Sequence, residues 1–268
     1  MLTLIIILLI CMLIYLLLLR GRKTAPGMEQ LQGWSYAHRG LHDEERPENS
    51  LAAFQAALEQ GYGIELDVHL LKDGTLAIMH DSSLKRTTGR DGIIEDLTGE
   101  DLSSYYLNGT DQTIPTFQQV LAMFAGKAPI IIELKTHGGN AAALTKEVCQ
   151  VLAGYRGAYC IESFDPRVVY ALKKQAPHII RGQLAENSLK RDKNYPWIVR
   201  FLCTFLLTNV LTCPDFIAYR FEDRKNLSCT LCQKLWGIQG VAWTIRTPEE
   251  HTCAVSQGWL SIFENFLP

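Results

Sequence analysis

The sequence predicts an α/β protein: a TIM (β/α)8 barrel with a small insertion after the third strand, preceded by one N-terminal transmembrane helix. Three observations carry that expectation. From Trp34 to the C-terminus, short β-rich runs alternate with helical stretches whose ends are well marked. No glycine-rich nucleotide loop interrupts the alternation, which favours a barrel over a doubly wound sheet. The chain has 268 residues, close to the roughly 250 that one such barrel occupies.

Met1 to Leu19 carry no charged side chain, and Leu and Ile make up most of the run. As a helix it would be roughly 28 Å long, enough to cover a hydrocarbon core of about 30 Å. Arg20, Arg22 and Lys23 follow at once. Basic residues on that flank predict a single-pass anchor in the cell membrane, with the rest of the chain in the cytoplasm. A cleaved signal peptide would want the basic residues in front, a shorter apolar run and a small-residue cleavage site, none of which fits. Residues 20–33 read as a linker and 34–268 as the folded domain.

Nine segments have strand character: Ser35–His38, Gly63–Leu70, Leu76–Met79, Pro129–Leu134, Ala158–Ser163, Ile179–Leu184, Phe216–Arg220, Gly240–Ile245 and Trp259–Phe263. A barrel of eight has no place for one of them, and the pattern does not say which. Helix starts are legible between them. Asn49 or Ser50 can cap a helix carrying Leu51, Phe54 and Leu58 on one face. Thr116 with Gln119 has capping-box spacing, and Asp165-Pro166 and Thr247-Pro248 put proline at the first helical position. Residues 82–114 are too many for a plain loop and read as the insertion. Trp197 to Leu211 reads as an amphipathic helix lying on the membrane beside the barrel, with Arg200, Thr204 and Thr208 as its polar stripe; burial of its apolar face in the core is the alternative.

Lys plus Arg total 26 and Asp plus Glu total 28, for a formal net charge of −2. A nucleic-acid binder would show a basic excess, so none is expected as a partner. The eight cysteines have no disulfide-scaffold spacing, and scattered thiols suit a reducing compartment. Cys229 and Cys232 have metal-like spacing but lack a second pair, so they read as half-buried helix positions.

The chemistry lies in a series of short motifs. Glu65 and Asp67 are two apart on a strand and leave the same face. Glu133 ends another strand after the apolar run Pro129-Ile130-Ile131-Ile132. Three carboxylates converging on one barrel mouth would repel one another unless a cation sits among them, and an all-oxygen set suits Mg2+ or Ca2+ better than zinc. His38 and His80 can supply a general base and a general acid. Arg39 can grip phosphate oxygens and Lys135 can add a point charge. Trp243 offers an apolar wall. Asp81 could hold His80, although neighbours on a strand face opposite ways. His69 reads as a strand-end surface residue, and His42, His137, His178 and His251 as solvated.

Ala37-His38-Arg39-Gly40, Pro47-Glu48-Asn49-Ser50, Glu65-Leu66-Asp67-Val68 and His80-Asp81, continued by Glu133-Leu134-Lys135, Ser163-Phe164 and Ala242-Trp243-Thr244, resemble the signature of the glycerophosphodiester phosphodiesterase family. The series spans residues 34 to about 245 in the family's order. The resemblance implies metal-dependent hydrolysis of glycerophosphodiesters to glycerol 3-phosphate and an alcohol. It makes His38 and His80 the catalytic pair, Glu65, Asp67 and Glu133 the metal ligands, and Arg39, Glu48, Lys135 and Trp243 the substrate-binding group. Glu48 would orient a ligand or an imidazole. A phospholipase C- or D-like activity on lipid phosphodiesters and a catalytically silent binding barrel are the competing readings. Two positions depart from the family: Arg246 stands where an Asn often follows the Trp-Thr pair, and the chain ends Ile262-Phe263-Glu264-Asn265 where a Thr-Asp-x-Pro-like ending is usual.

Overall fold

The computed structural model describes residues 1–23, 25–191 and 195–268. Its strands are β1 (Ser35–His38), β2 (Gly63–Leu70), β3 (Leu76–Ile78), β4 (Ile130–Leu134), β5 (Tyr159–Ser163), β6 (Arg181–Ala185), β7 (Phe216–Arg220), β8 (Gln239–Ile245) and β9 (Leu260–Phe263). They run β1-β9-β8-β7-β6-β5-β4-β2, and β1 pairs with β2 to close the ring. All pairings in the ring are parallel. The supernumerary strand is β3, antiparallel to β2 at Val68–Ile78 through Leu70–Leu76. Only a tight turn separates the two, and Asp73 Oδ1 accepts the Thr75 amide inside it at 3.0 Å. So short a link can join antiparallel strands but not parallel ones.

The side-chain period of two divides every barrel strand between a lumen and a helix-facing side. Tyr36, Ile131, Cys160, Ile180, Leu184, Phe216, Ala218, Val241, Leu260 and Ile262 form one buried apolar cluster. These alternate positions plug the lower lumen. Gly182 is part of the plug's geometry, since a Cβ there would lie 2.1 Å from the Phe216 ring. One step further along the strands, apolar gives way to Glu65, Asp67, Glu133 and Glu162, all buried. The lumen is therefore closed at the amino ends and polar at the carboxyl ends, where barrel active sites lie.

Helices α2 (Leu51–Glu59), α3 (Phe117–Phe124) and α5 (Pro166–Gln175) start where their caps predict, and α4 (Ala141–Leu152) lies between α3 and α5 in the chain. Ser50 Oγ accepts the Ala53 amide, Thr116 and Gln119 form the reciprocal capping box, and Asp165 caps α5 with Pro166 at its start. Residues 82–114 form a compact insertion with its own small core, in which Leu84, Ile94, Leu102, Leu107 and Ile114 pack on Leu71, Ala77 and Met79.

The N-terminus requires a correction. Helix α1 (Leu2–Leu18) has 17 residues, about 25 Å of rise, and Leu19 is fully buried in the main core. Among the described residues no helix is long and apolar enough to cross a membrane, and the spanning segment expected over Met1–Leu19 is not supported. Its last turns belong to the protein body, through Tyr15 Oη to Ser228 Oγ at 2.7 Å and the Trp236 indole donating to Leu16 O at 3.0 Å. Residues 20–33 are likewise no free linker. Arg22 forms an ion pair with Asp215 and donates to Pro177 O, and Leu31 is buried.

The segment expected as one helix over 197–211 is two. Between α6 (Ser188–Arg191) and α9 (Leu227–Lys234), α7 covers Trp197–Thr204 and α8 covers Asn209–Thr212. They are broken at Leu206, which has φ +56° and is fully buried. The polar stripe faces inward. Arg200 donates to the Ser188 and Leu189 carbonyls, Thr204 Oγ1 accepts the Leu189 amide at 3.3 Å, and the Thr204 backbone carbonyl accepts from Tyr219 Oη and Asn226 Nδ2. Cys229 and Cys232 are buried on α9, the bland reading of that pair.

Candidate active site

Five segments bring the motif residues to the carboxyl end of the barrel. His38 ends β1, and the chain then turns sharply. Arg39 has φ +57° and Gly40 φ +81°, and a Cβ on Gly40 would lie 2.7 Å from the Ala53 backbone. Only glycine tolerates both demands. The turn aims the Arg39 amide at Glu65 Oε2, 3.2 Å away, and its guanidinium at Glu48 Oε1, 2.9 Å away. Asn49, in the same loop, donates to Asp67 Oδ2 at 2.8 Å.

Glu65, Asp67 and Glu133 each present a carboxylate oxygen, and these oxygens lie within 4.8 Å of one another. Lys135 Nζ sits 3.0 Å from Asp67 Oδ1 and 2.8 Å from Glu133 Oε1. Burial and the neighbouring Asp67 charge drive the Glu65 carboxyl well up, and burial raises Glu133 to about 7 despite Lys135. Asp67 goes the other way: Lys135, His80 and Arg39 outweigh its burial and hold it well below the ordinary range. The site as built thus lacks enough positive charge for its acids. Its donor set is all oxygen and fits a hard divalent cation.

The histidines flank this triad. His38 Nε2 is 3.9 Å from Glu65 Oε2, while its Nδ1 is 2.6 Å from Glu264 Oε2. Arg246 in turn grips Glu264 Oε1, through Nε at 2.8 Å and Nη2 at 2.7 Å. His80 Nδ1 is 2.6 Å from Asp81 Oδ1. Both residues lie beyond the end of β3, so strand alternation does not separate them. Burial pulls His38 down, with Glu264 pulling the other way, and burial lowers His80 to about 4. Each imidazole is therefore neutral near pH 7, with one nitrogen tied to a carboxylate and the other free for proton transfer. Trp243 stands at the mouth, edge-on to Phe164 with ring centroids 5.5 Å apart.

All nine residues singled out from the sequence thus gather at one end of the barrel. Several others were missed. Glu264 braces His38, and Arg246 braces Glu264, at the positions where the chain departs from the family pattern. The signal was available, because Leu260, Ile262 and Glu264 share strand parity and a charge at the end of such a series faces the lumen. Arg86, in the insertion, bridges Glu48 at 2.7 Å and Asp81 at 2.5 Å, and nothing local in the sequence marks it. Glu162, buried beside Glu133 on β5, was also missed. His69 is corrected from surface to interior. It is 1% exposed, bonded to Glu95 Oε1 at 2.7 Å and to the His80 carbonyl at 3.3 Å. Among the histidines read as solvated, His251 contacts Ser35 Oγ at 3.0 Å.

A closed barrel carrying two carboxylate-braced imidazoles around an acidic triad is equipped for acid–base chemistry beside a cation, and its relatives make it a phosphoric diester hydrolase. The family model "Glycerophosphoryl diester phosphodiesterase family" matches residues 38–267, and the chain belongs to that family. Similar curated proteins include a glycerophosphodiester phosphodiesterase of Bacillus altitudinis, 34% identical over 60% of this chain and 69% of the relative. Another is glycerophosphodiester phosphodiesterase 1 of Homo sapiens, 27% identical over 80% and 72%. Among solved structures, an Oleispira antarctica phosphodiesterase in complex with the product sn-glycerol-3-phosphate superposes with TM-score 0.71 at 24% identity, covering 86% of this chain and 92% of that one. The glycerophosphodiester phosphodiesterase of Thermotoga maritima does so with TM-score 0.65 at 25% identity, over 86% and 93%.

Proposed function

We propose that this enzyme hydrolyses glycerophosphodiesters to glycerol 3-phosphate and an alcohol, with His38 and His80 moving the protons and Glu65, Asp67 and Glu133 holding a divalent cation, Mg2+ or Ca2+. The observation that carries it is the pair of imidazoles, each fixed by its own carboxylate on the rim of an under-compensated acidic triad. When bound, the cation supplies charge neutralisation at the phosphoryl oxygens. Arg39 and Lys135 add positive charge on the same side, and Glu48 fixes the Arg39 fork. One imidazole takes the proton of the attacking hydroxyl as the new P–O bond forms. The other must first take up a proton, its bracing carboxylate and the bound phosphate charge favouring the imidazolium, and then gives that proton to the departing alkoxide as the old P–O bond breaks. Trp243 and Phe164 present an apolar wall to the carbon skeleton.

His38→Ala and His80→Ala should each lower kcat on glycerophosphocholine by ~10²-fold or more with the fold retained. Near-normal turnover in either variant would remove that histidine from the mechanism. A hydrolysis panel of glycerophosphodiesters and lysophospholipids, with EDTA and with added Mg2+ or Ca2+, tests the substrate and the cation together.

Residues 1–14 of α1 are apolar apart from Thr3 and exposed throughout. We also propose that this segment embeds the enzyme in the cell membrane without crossing it, the catalytic domain remaining on the cytoplasmic side. Flotation of the full chain with vesicles tests the attachment, and a reporter fused after Pro268 tests the side.

A further inference from the structure

The direction of α1 can be read from its two contacts with α9. Tyr15 Oη meets Ser228 Oγ at 2.7 Å, and the Cys232 thiol donates to Leu19 O at 3.6 Å. Four residues separate the partners on each helix, so the helices run in the same sense. Helix α9 begins just beyond the carboxyl end of β7 and descends towards the start of β8. The free part of α1 must therefore point the opposite way, past the carboxyl ends of the strands. Leu2 to Ile14 would project about 20 Å on the side of the catalytic mouth.

That side also carries an apolar collar. Trp197 is 64% exposed, Ile198 49%, Val199 40% and Leu227 61%. Trp197, Ile198 and Val199 open α7, whose one charge, Arg200, is turned back onto the Ser188 and Leu189 carbonyls. Leu227 opens α9, and the Thr204 carbonyl joins the two helices by accepting from Asn226. Aromatic side chains with a polar edge suit the boundary between lipid and water. Arg20, Arg22 and Lys23 lie at the other end of α1, near the amino ends of the strands, with Arg22 consumed by Asp215.

We infer that the enzyme sits on a bilayer with its catalytic mouth turned towards the lipid, α1 entering on that side and Trp197, Ile198, Val199 and Leu227 meeting the surface. This rests on the membrane attachment proposed above. A bilayer is the fitting occupant because α1 is apolar on every side. A second copy could cover only one face of it, whereas hydrocarbon covers all of them. The free length of about 20 Å enters a hydrocarbon core of about 30 Å without crossing it.

The test uses the full chain and phosphatidylcholine vesicles with or without brominated acyl chains, which quench tryptophans lying in the lipid. Of the five tryptophans, Trp34 and Trp259 precede the first residues of their barrel strands, Trp236 lies against Leu16 of α1, Trp243 is packed on Phe164 inside the mouth, and Trp197 stands 64% exposed outside it. The chain should float with vesicles and be quenched by brominated lipid, and Trp197→Phe should lose most of that quenching while hydrolysing glycerophosphocholine normally. Flotation with unchanged quenching in Trp197→Phe would overturn the orientation and leave the attachment standing. Failure to float, with α1 buried in a dimer by solution mass, would overturn both.

Discussion

The barrel buries charge at both ends, and it does so in opposite ways. At the amino ends, one acid lies among two arginines. Asp215 pairs with Arg22 and also accepts the Arg181 amide at 2.9 Å, while Arg181 Nη2 donates to Cys213 O and Arg22 Nη1 to Pro177 O, both at 2.9 Å. Its carboxylate is met on every side by donors, and the cluster clamps the N-terminal segment to the barrel. At the carboxyl ends, among the described residues, Glu65, Asp67, Glu133 and Glu162 face Lys135 and Arg39 as the buried cations. Glu162 Oε2 has no hydrogen-bond partner, and burial drives its carboxyl well up. The structural cluster comes close to balance: Arg181 Nη1 has no hydrogen-bond partner but lies 4.0 Å from Asp215 Oδ2. A functional one is left short of the charge its ligand brings, at a cost in stability that folding elsewhere must absorb.

This contrast can be broken by mutation at either end. The largest effect is expected for Glu65→Gln, which should cut kcat on the order of 10³-fold by removing part of the cation's hold on the phosphoryl charge. The same change relieves repulsion, so the thermal midpoint without added cation should stay level or rise. A fall of several degrees would mean that the upper acids are structural too. Asp215→Asn should do the reverse, costing roughly 2–4 kcal/mol in denaturant unfolding because it strands two arginines, with kcat unchanged. The smallest effect is a pH dependence. Glu133 titrates at about 7 without cation, so below that pH an incoming cation must displace a proton. Glu65 is driven up as well, so affinity for Mg2+ should fall by about tenfold or more per unit as pH drops below 7. Calorimetric titrations at pH 5.5, 6.5 and 8 check this, and a pH-independent affinity would place the cation elsewhere.

Much of this was legible in the sequence because the signals are local. Strand parity alone puts Glu65 with Asp67, and caps at Ser50, Thr116, Asp165 and Thr247 mark helix starts that depend on a few consecutive residues. The errors arose where distant segments meet. Leu76–Ile78 has the composition of a barrel strand, and its exclusion depends on a pairing direction set by the turn before it. His69 looks like a strand end until the insertion supplies Glu95 to cover it. The 197–211 helix has a continuous amphipathic pattern, yet the core's need for Leu206 breaks it.

The sequence by itself determined the barrel, the nine motif residues and the apolar character of the first nineteen positions, because each depends on spacing within a short stretch of backbone. The tertiary structure alone decided the rest. It supplied Glu264 to His38 from 226 residues away and joined Asp81 to Glu48 through Arg86. It also turned an expected membrane span into a helix whose end is core, since Leu19 finds apolar partners in the body instead of in lipid. Such contacts depend on where chain closure brings remote side chains, and residues far apart in sequence carry no local record of it.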